Sequence, residues 1–92
     1  MEPIIDFVIT AHAAYELARR GLSEENVRAV LLAPGQRLEV RPGRVVLQSR
    51  LVDADAGTEY LVRVFVDIDR RPAEVVTAYR TSKIAKYWRE QT

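Results

Sequence analysis

Hydrophobic and polar positions change their spacing twice along this chain. Ile4-Ile5-Asp6-Phe7-Val8-Ile9 is a short apolar stretch that reads as an edge strand or as a lead-in. From Ala11 to Arg20 the residues are good helix formers. Thr10 stands where an N-cap hydroxyl would accept from an orphan backbone N–H, and Gly21 is placed to stop the helix. Ala14, Leu17 and Ala18 supply its expected apolar stripe, with His12, Glu16, Arg19 and Arg20 on or beside the polar face. A second helix starts at the N-cap Ser23, where Glu24 and Glu25 favour the positive end of the dipole. It buries Val27, Val30 and Leu31 and ends at Ala33-Pro34-Gly35. Gly21-Leu22 leaves almost no linker, which predicts a tight helical hairpin.

After Gly35 the period falls to two. Gln36 to Arg41 alternates, with Leu38 and Val40 opposite Arg37, Glu39 and Arg41, and Pro42-Gly43 makes a turn. Arg44 to Val52 sets Val45, Leu47, Ser49 and Leu51 on one face and Arg44, Val46, Gln48, Arg50 and Val52 on the other. Asp53 to Gly57 is a polar hairpin loop. Tyr60 to Ile68 is the clearest strand, with Val62, Val64, Val66 and Ile68 facing one way and Leu61, Arg63, Phe65 and Asp67 the other. Asp69 to Pro72 is a loop, and Glu74 to Arg80 forms a strand with Val75, Thr77 and Tyr79 on a common face. Thr81 or Ser82 caps a last helix from Lys83 to about Arg89, docked by Ile84, Tyr87 and Trp88. The expected fold is α+β: an N-terminal helical hairpin on one face of an antiparallel β-meander of about four strands, then a short C-terminal helix. The other face stays at least partly open, and Arg63 belongs there.

Composition narrows the chemistry. Ninety-two residues, 48% hydrophobic and 29% charged, predict one globular domain. The absence of Cys excludes disulfides and thiolate metal sites, and a single His argues against a conventional zinc site. Asp53 and Asp55 lack the further ligands of a calcium loop. No cofactor or metal is therefore expected. Apolar runs are far too short to span a bilayer and the N-terminus does not read as a signal peptide, so a soluble, cytoplasmic protein without membrane contact is expected.

Net charge is +1, yet residues 1–33, 34–69 and 70–92 stand at −2, −1 and +4. Twelve of the fourteen bases are Arg, whose planar fork grips phosphate at two points. A GC-rich genome or a heat-adapted source would explain the arginines equally well. A duplex-DNA reader finds no support, because the helical pair is net acidic and its second helix begins Glu24-Glu25.

Three motifs point further. Thr10-Ala11-His12-Ala13, then Arg19-Arg20-Gly21-Leu22-Ser23 with Val27, and Val75-Val76-Thr77-Ala78-Tyr79 before Ser82-Lys83 resemble a family of small bacterial domains. That family is similar to the RelE/ParE-type toxins and the wider barnase-, EndoU- and RelE-like nuclease group. The resemblance covers nearly the whole chain and implies a RelE-like domain that cleaves RNA without a metal, as the toxin of a toxin–antitoxin pair. RNA supplies its own nucleophile, the ribose 2′-OH, so the protein need only move protons and stabilise phosphorane charge. The partners it implies are RNA, with ribosome-associated mRNA among the substrates, and a small antitoxin covering the active face.

The candidate residues follow from that chemistry. His12, the only side chain of a type that titrates near neutrality, is the acid/base that matches the motif, against the alternative of an ordinary surface His. Thr77 and Tyr79 project two residues apart and could donate to a phosphate or position the 2′-OH, against a plain strand role. Arg63 is a phosphate ligand or one half of an ion pair with Asp67 or Glu59. Lys83, Arg80 and Ser82 follow at a strand-to-helix junction, and Arg50 and Arg44 share a face with Gln48 and extend the basic patch unless simply solvated. Trp88 and Tyr87 dock the last helix. The competing reading is a non-catalytic protein-binding module of the same fold, ParE-like or an interaction domain. Separation of His12 from Tyr79 across the sheet would favour it.

Overall fold

A computed structural model describes residues 1–90. Its elements are β1 (Phe7–Ile9), α1 (Ala11–Arg19), α2 (Glu24–Leu32), β2 (Gln36–Arg41), β3 (Arg44–Val52), β4 (Glu59–Asp67), β5 (Ala73–Thr81) and α3 (Ile84–Tyr87). The fold is α+β, and the sheet has five strands in the order β1-β5-β4-β3-β2. The expected four-strand antiparallel meander is present as β2 to β5. It gains β1, which pairs parallel with β5 at Phe7–Ala73, Val8–Glu74 and Ile9–Val75 and makes the sheet mixed. A three-residue strand holds too little local preference to declare its partner. Its place is set by long-range bonds: Ala73 N–H donates to Asp6 C=O (3.2 Å), and Ile4 N–H donates to Leu31 C=O (2.9 Å).

The helix starts are local and follow the residues. Thr10 Oγ1 accepts from Ala13 N–H, and Ser23 with Asn26 forms a reciprocal capping box. Gly21 takes φ +68°, a left-handed conformation suited to glycine, and lets Leu22 turn back so that its N–H bonds Leu17 C=O. The helices are not a hairpin packed on itself. α1 lies against β5, whereas α2 lies across β4 and β3. On α1 the buried residues are Ala13 and Leu17, while Ala14 and Ala18 are exposed. The helix meets only the flank of the sheet, so its buried stripe is one residue wide and uses the small Ala13 for close approach.

The core between helices and sheet joins Leu17, Val27, Val30 and Leu31 to Val45, Leu47, Val62, Val64, Val66, Val75 and Ala78. Period two therefore sorted β3 and β4 correctly. In β5 it did not. Val66 pairs with Val75 but Phe65 pairs with Thr77, so Val76 is an extra residue in a β-bulge. Val75 and Ala78 consequently face the helices, while Thr77, Tyr79 and Thr81 stand opposite Phe65, Arg63 and Leu61. The expected common face of Val75 with Thr77 and Tyr79 is corrected by that single residue.

The second face is less open than expected. Val46, Gln48 and Leu61 are buried there, and the segment from α3 to Arg89 crosses it. Neither Thr81 nor Ser82 caps α3. Lys83 is its N-cap position and makes no side-chain cap bond, and Thr81 Oγ1 accepts from Lys83 N–H. Trp88 packs over Gly35, where a Cβ would come within 2.8 Å of Cη2. Among the described residues, no helix is long and apolar enough to cross a membrane.

Candidate functional site

Arg63 is half-buried at the middle of β4, directly opposite Gln48 on β3 and Tyr79 on β5. Its Nε donates to Gln48 Oε1 at 2.8 Å and its Nη1 to the Tyr79 hydroxyl at 2.7 Å. The guanidinium carbon lies 4.3 Å from the centre of the Tyr87 ring and 5.3 Å from that of Phe65. Aromatic faces attract a cation without neutralising it. Among the described residues no carboxylate lies within ion-pair distance of Arg63, because Asp67 is held by Arg44 and Glu59 by Arg50. The sequence alternative of an Arg63 ion pair with either acid is thereby overturned. The Arg63 Nη2 group bonds nothing among the described residues and is not among the fully buried atoms, so it is left with donors to spare.

Tyr79 and Tyr87 meet edge to face at 6.2 Å, and Phe65 stacks with Tyr79 at 6.0 Å. Tyr79 accepts from Arg63, which leaves its own proton to turn toward Tyr87. The Tyr87 phenol is held below its ordinary value, first by the Tyr79 hydroxyl, then by Lys86, with Arg63 adding its charge and burial opposing. Tyr87 is therefore expected to ionise at lower pH than an ordinary tyrosine. Near-ultraviolet absorbance titration would show an early phase that moves up in Tyr79→Phe. An unchanged phase in that variant would remove Tyr79 as the cause.

At the outer margin of β5 lies a second polar chain. Arg20 donates from Nη1 to Thr77 Oγ1 (3.1 Å) and to Ala78 C=O (2.8 Å), covering the edge that β1 leaves unpaired. Arg20 also pairs with Glu16 at 3.3 Å, and His12 Nε2 lies 4.0 Å from the same carboxylate. Arg20 is thus more than a favourable charge at a helix end.

The structure brings Arg63, Tyr79 and Thr77 onto one face of the sheet. His12 sits on α1, which packs on the opposite, helix side of the sheet, with a side chain 74% exposed. Its contact with Glu16 ties it to the polar chain that reaches Thr77 through Arg20. Arg80 turns to the helix side, over the Tyr60 ring at 4.0 Å and toward Asp53 at 3.6 Å. Arg50 is tied to Glu59 at 2.6 Å and lies over Trp88, so its charge is already answered. Ser82 and Lys83 are exposed at the start of α3. A cleft of about 340 Å³ lined by Val30, Ser49, Leu51 and Trp88 lies behind the tryptophan and holds none of these groups except Arg50.

Gln48, Gln36, Tyr87, Arg20 and Glu16 escaped sequence reasoning as site residues. A glutamine between Leu47 and Ser49 on the face of Arg44 and Arg50 was the available signal for Gln48. Tyr87 had none beyond its docking role.

Fold and site together define a small α+β domain with a caged arginine that meets no carboxylate among the described residues, set among tyrosines on the sheet face away from its two longer helices. The chain belongs to the family described as "Domain of unknown function (DUF4258)", whose match spans residues 9–80 and so contains His12, Arg63, Thr77 and Tyr79 but not Tyr87. No curated protein and no solved structure matches it.

Proposed function

We propose that this domain binds the phosphodiester backbone of RNA at Arg63 and cleaves it without a metal, in the manner of the RelE-like toxins it resembles. The carrying observation is Arg63 itself, a half-buried guanidinium held by neutral groups, with donors left over and two phenols beside it. Its free Nη2 donors suit a phosphate oxygen, and their charge counters that of the phosphorane. The 2′-oxygen attacks phosphorus as its proton is removed, the P–O5′ bond breaks, and the departing 5′-oxygen takes up a proton. A 2′,3′-cyclic phosphate and a 5′-hydroxyl result. In this reading Tyr79 and Tyr87 carry the protons, Thr77 orients the backbone, Lys83 adds charge nearby, and His12 stands outside the reaction. A small antitoxin protein would cover the same face.

The test is cleavage of a short unstructured RNA in the presence of a chelator, with product ends identified. Wild-type and His12→Ala proteins are expected to cleave alike. Tyr79→Phe and Tyr87→Phe are each expected to lose about 10²-fold or more, within the range for positioned acid–base groups. Loss in His12→Ala with activity intact in both tyrosine variants would move the chemistry to the α1 margin. A second reading, the non-catalytic binding module, is favoured by the packing of α1, which carries His12, on the sheet face opposite Tyr79. RNA left intact by folded wild-type protein would select it.

A further inference from the structure

Three arginines occupy this face of β3 and β4, and their cross-strand neighbours treat them differently. Arg44 stands opposite Asp67 and bonds it twice, at 2.6 and 3.1 Å. Arg50 bonds Glu59 twice, at 3.1 and 2.6 Å. Arg63 stands opposite Gln48. The two outer arginines are therefore neutralised by carboxylates, and the central one is held by an amide of the length of glutamate.

That amide has no freedom to turn. Gln36 is 3% exposed, and its Oε1 accepts from Arg89 N–H (3.1 Å) while its Nε2 donates to Arg89 C=O. The backbone of Arg89 thus dictates which end of Gln36 is oxygen. Gln48, fully buried, must then aim its Nε2 at Gln36 Oε1 (2.7 Å) and at Tyr87 C=O (3.1 Å). Only its Oε1 remains, and that oxygen takes Arg63 Nε. A carboxylate at position 48 would place one oxygen against two acceptors and the other against Arg63.

We infer that Gln48 is a positioning residue for the anion site: locked by Gln36 and the backbone of Tyr87 and Arg89, it aims Arg63 without cancelling its charge. The α3–Arg89 segment is thereby part of the site, because its carbonyls orient the relay. This inference rests on Arg63 being the phosphate-binding group.

The experiment measures affinity for a short 2′-O-methylated oligouridine, which cannot be cleaved, across a salt series. Affinity for single-stranded nucleic acid falls with salt at about 0.7 logarithmic units per phosphate neutralised. Gln48→Glu is expected to weaken binding and to make the salt slope shallower by about that amount, since Arg63 becomes paired internally. Gln48→Met is expected to weaken binding with the slope retained, because the charge survives and only its aim is lost. Equal losses in affinity and slope for the two variants, or a wild-type slope in Gln48→Glu, would overturn the inference. Arg63→Met separates the levels. A shallower slope there with no effect of Gln48→Glu rejects the role of Gln48 alone, whereas no effect of Arg63→Met rejects the phosphate site itself. Folding is followed by thermal unfolding and by the fluorescence of Trp88. Should Gln48→Glu not fold, Gln36→Met frees the Gln48 amide and is expected to weaken binding with full slope. Unchanged affinity in Gln36→Met would overturn the inference in that case.

Discussion

Arg63→Met is expected to lower affinity for short single-stranded RNA by about 10- to 100-fold, the worth of hydrogen bonds from a charged donor, about 1.5–3 kcal/mol. It is also expected to remove the salt sensitivity of one phosphate contact. The same substitution strips the buried Oε1 of Gln48 of its donor. A loss of stability on the order of 1–3 kcal/mol should therefore accompany the loss of binding. The two effects are separable: fluorescence anisotropy of a labelled oligonucleotide reads the first at a temperature where denaturation curves show the variant folded. Arg63→Lys is expected to resemble Arg63→Met more than wild type, since an ammonium has no planar fork to reach Gln48 and Tyr79 together. Full binding in Arg63→Lys would show that charge alone suffices and that the cage is incidental.

The largest effect on stability is expected from Leu47→Ala. Leu47 is fully buried on the helix side of β3, in the cluster with Val62, Val64 and the apolar faces of α1 and α2. Truncation removes the transfer energy of its side chain and leaves a cavity that two helices and a sheet cannot close, at about 2–5 kcal/mol. In a domain this small that corresponds to a fall in Tm on the order of 10–20 °C. Val52→Ala on the same strand, at a position 66% exposed, is expected to change stability by less than about 0.5 kcal/mol. Urea unfolding followed by Trp88 fluorescence checks both. Similar midpoints for the two variants would place the core elsewhere.

Both expectations depend on faces rather than on elements, and the two kinds of knowledge have different sources. The starts of α1 and α2, the turn between them and the alternation of β3 and β4 are settled within a few residues. Thr10 and Ser23 cap, Gly21 turns, and the alternation in β3 and β4 separates Leu47 and Val64 from Gln48 and Arg63. Those assignments needed nothing beyond neighbours along the chain. For the same reason Arg63 was legible as a residue of the second face.

What the chain could not declare locally was decided by contacts between residues far apart in it. The parallel place of β1 depends on a strand 66 positions away, since Phe7 meets Ala73. The bulge at Val76 follows from fitting β5 to β4 and re-aims Thr77 and Tyr79. His12 matched a motif, but α1 packs on the face of the sheet opposite Arg63. Gln36, Gln48 and Tyr87 become parts of one arrangement only when the chain from α3 onward lies across the sheet. By itself the sequence determined the two longer helices, the four antiparallel strands, their order and the apolar faces of β3 and β4, because these rest on local backbone preference and side-chain period. Tertiary structure alone decided which charge is answered and which is left free, because a buried side chain's partner is set by packing across the fold.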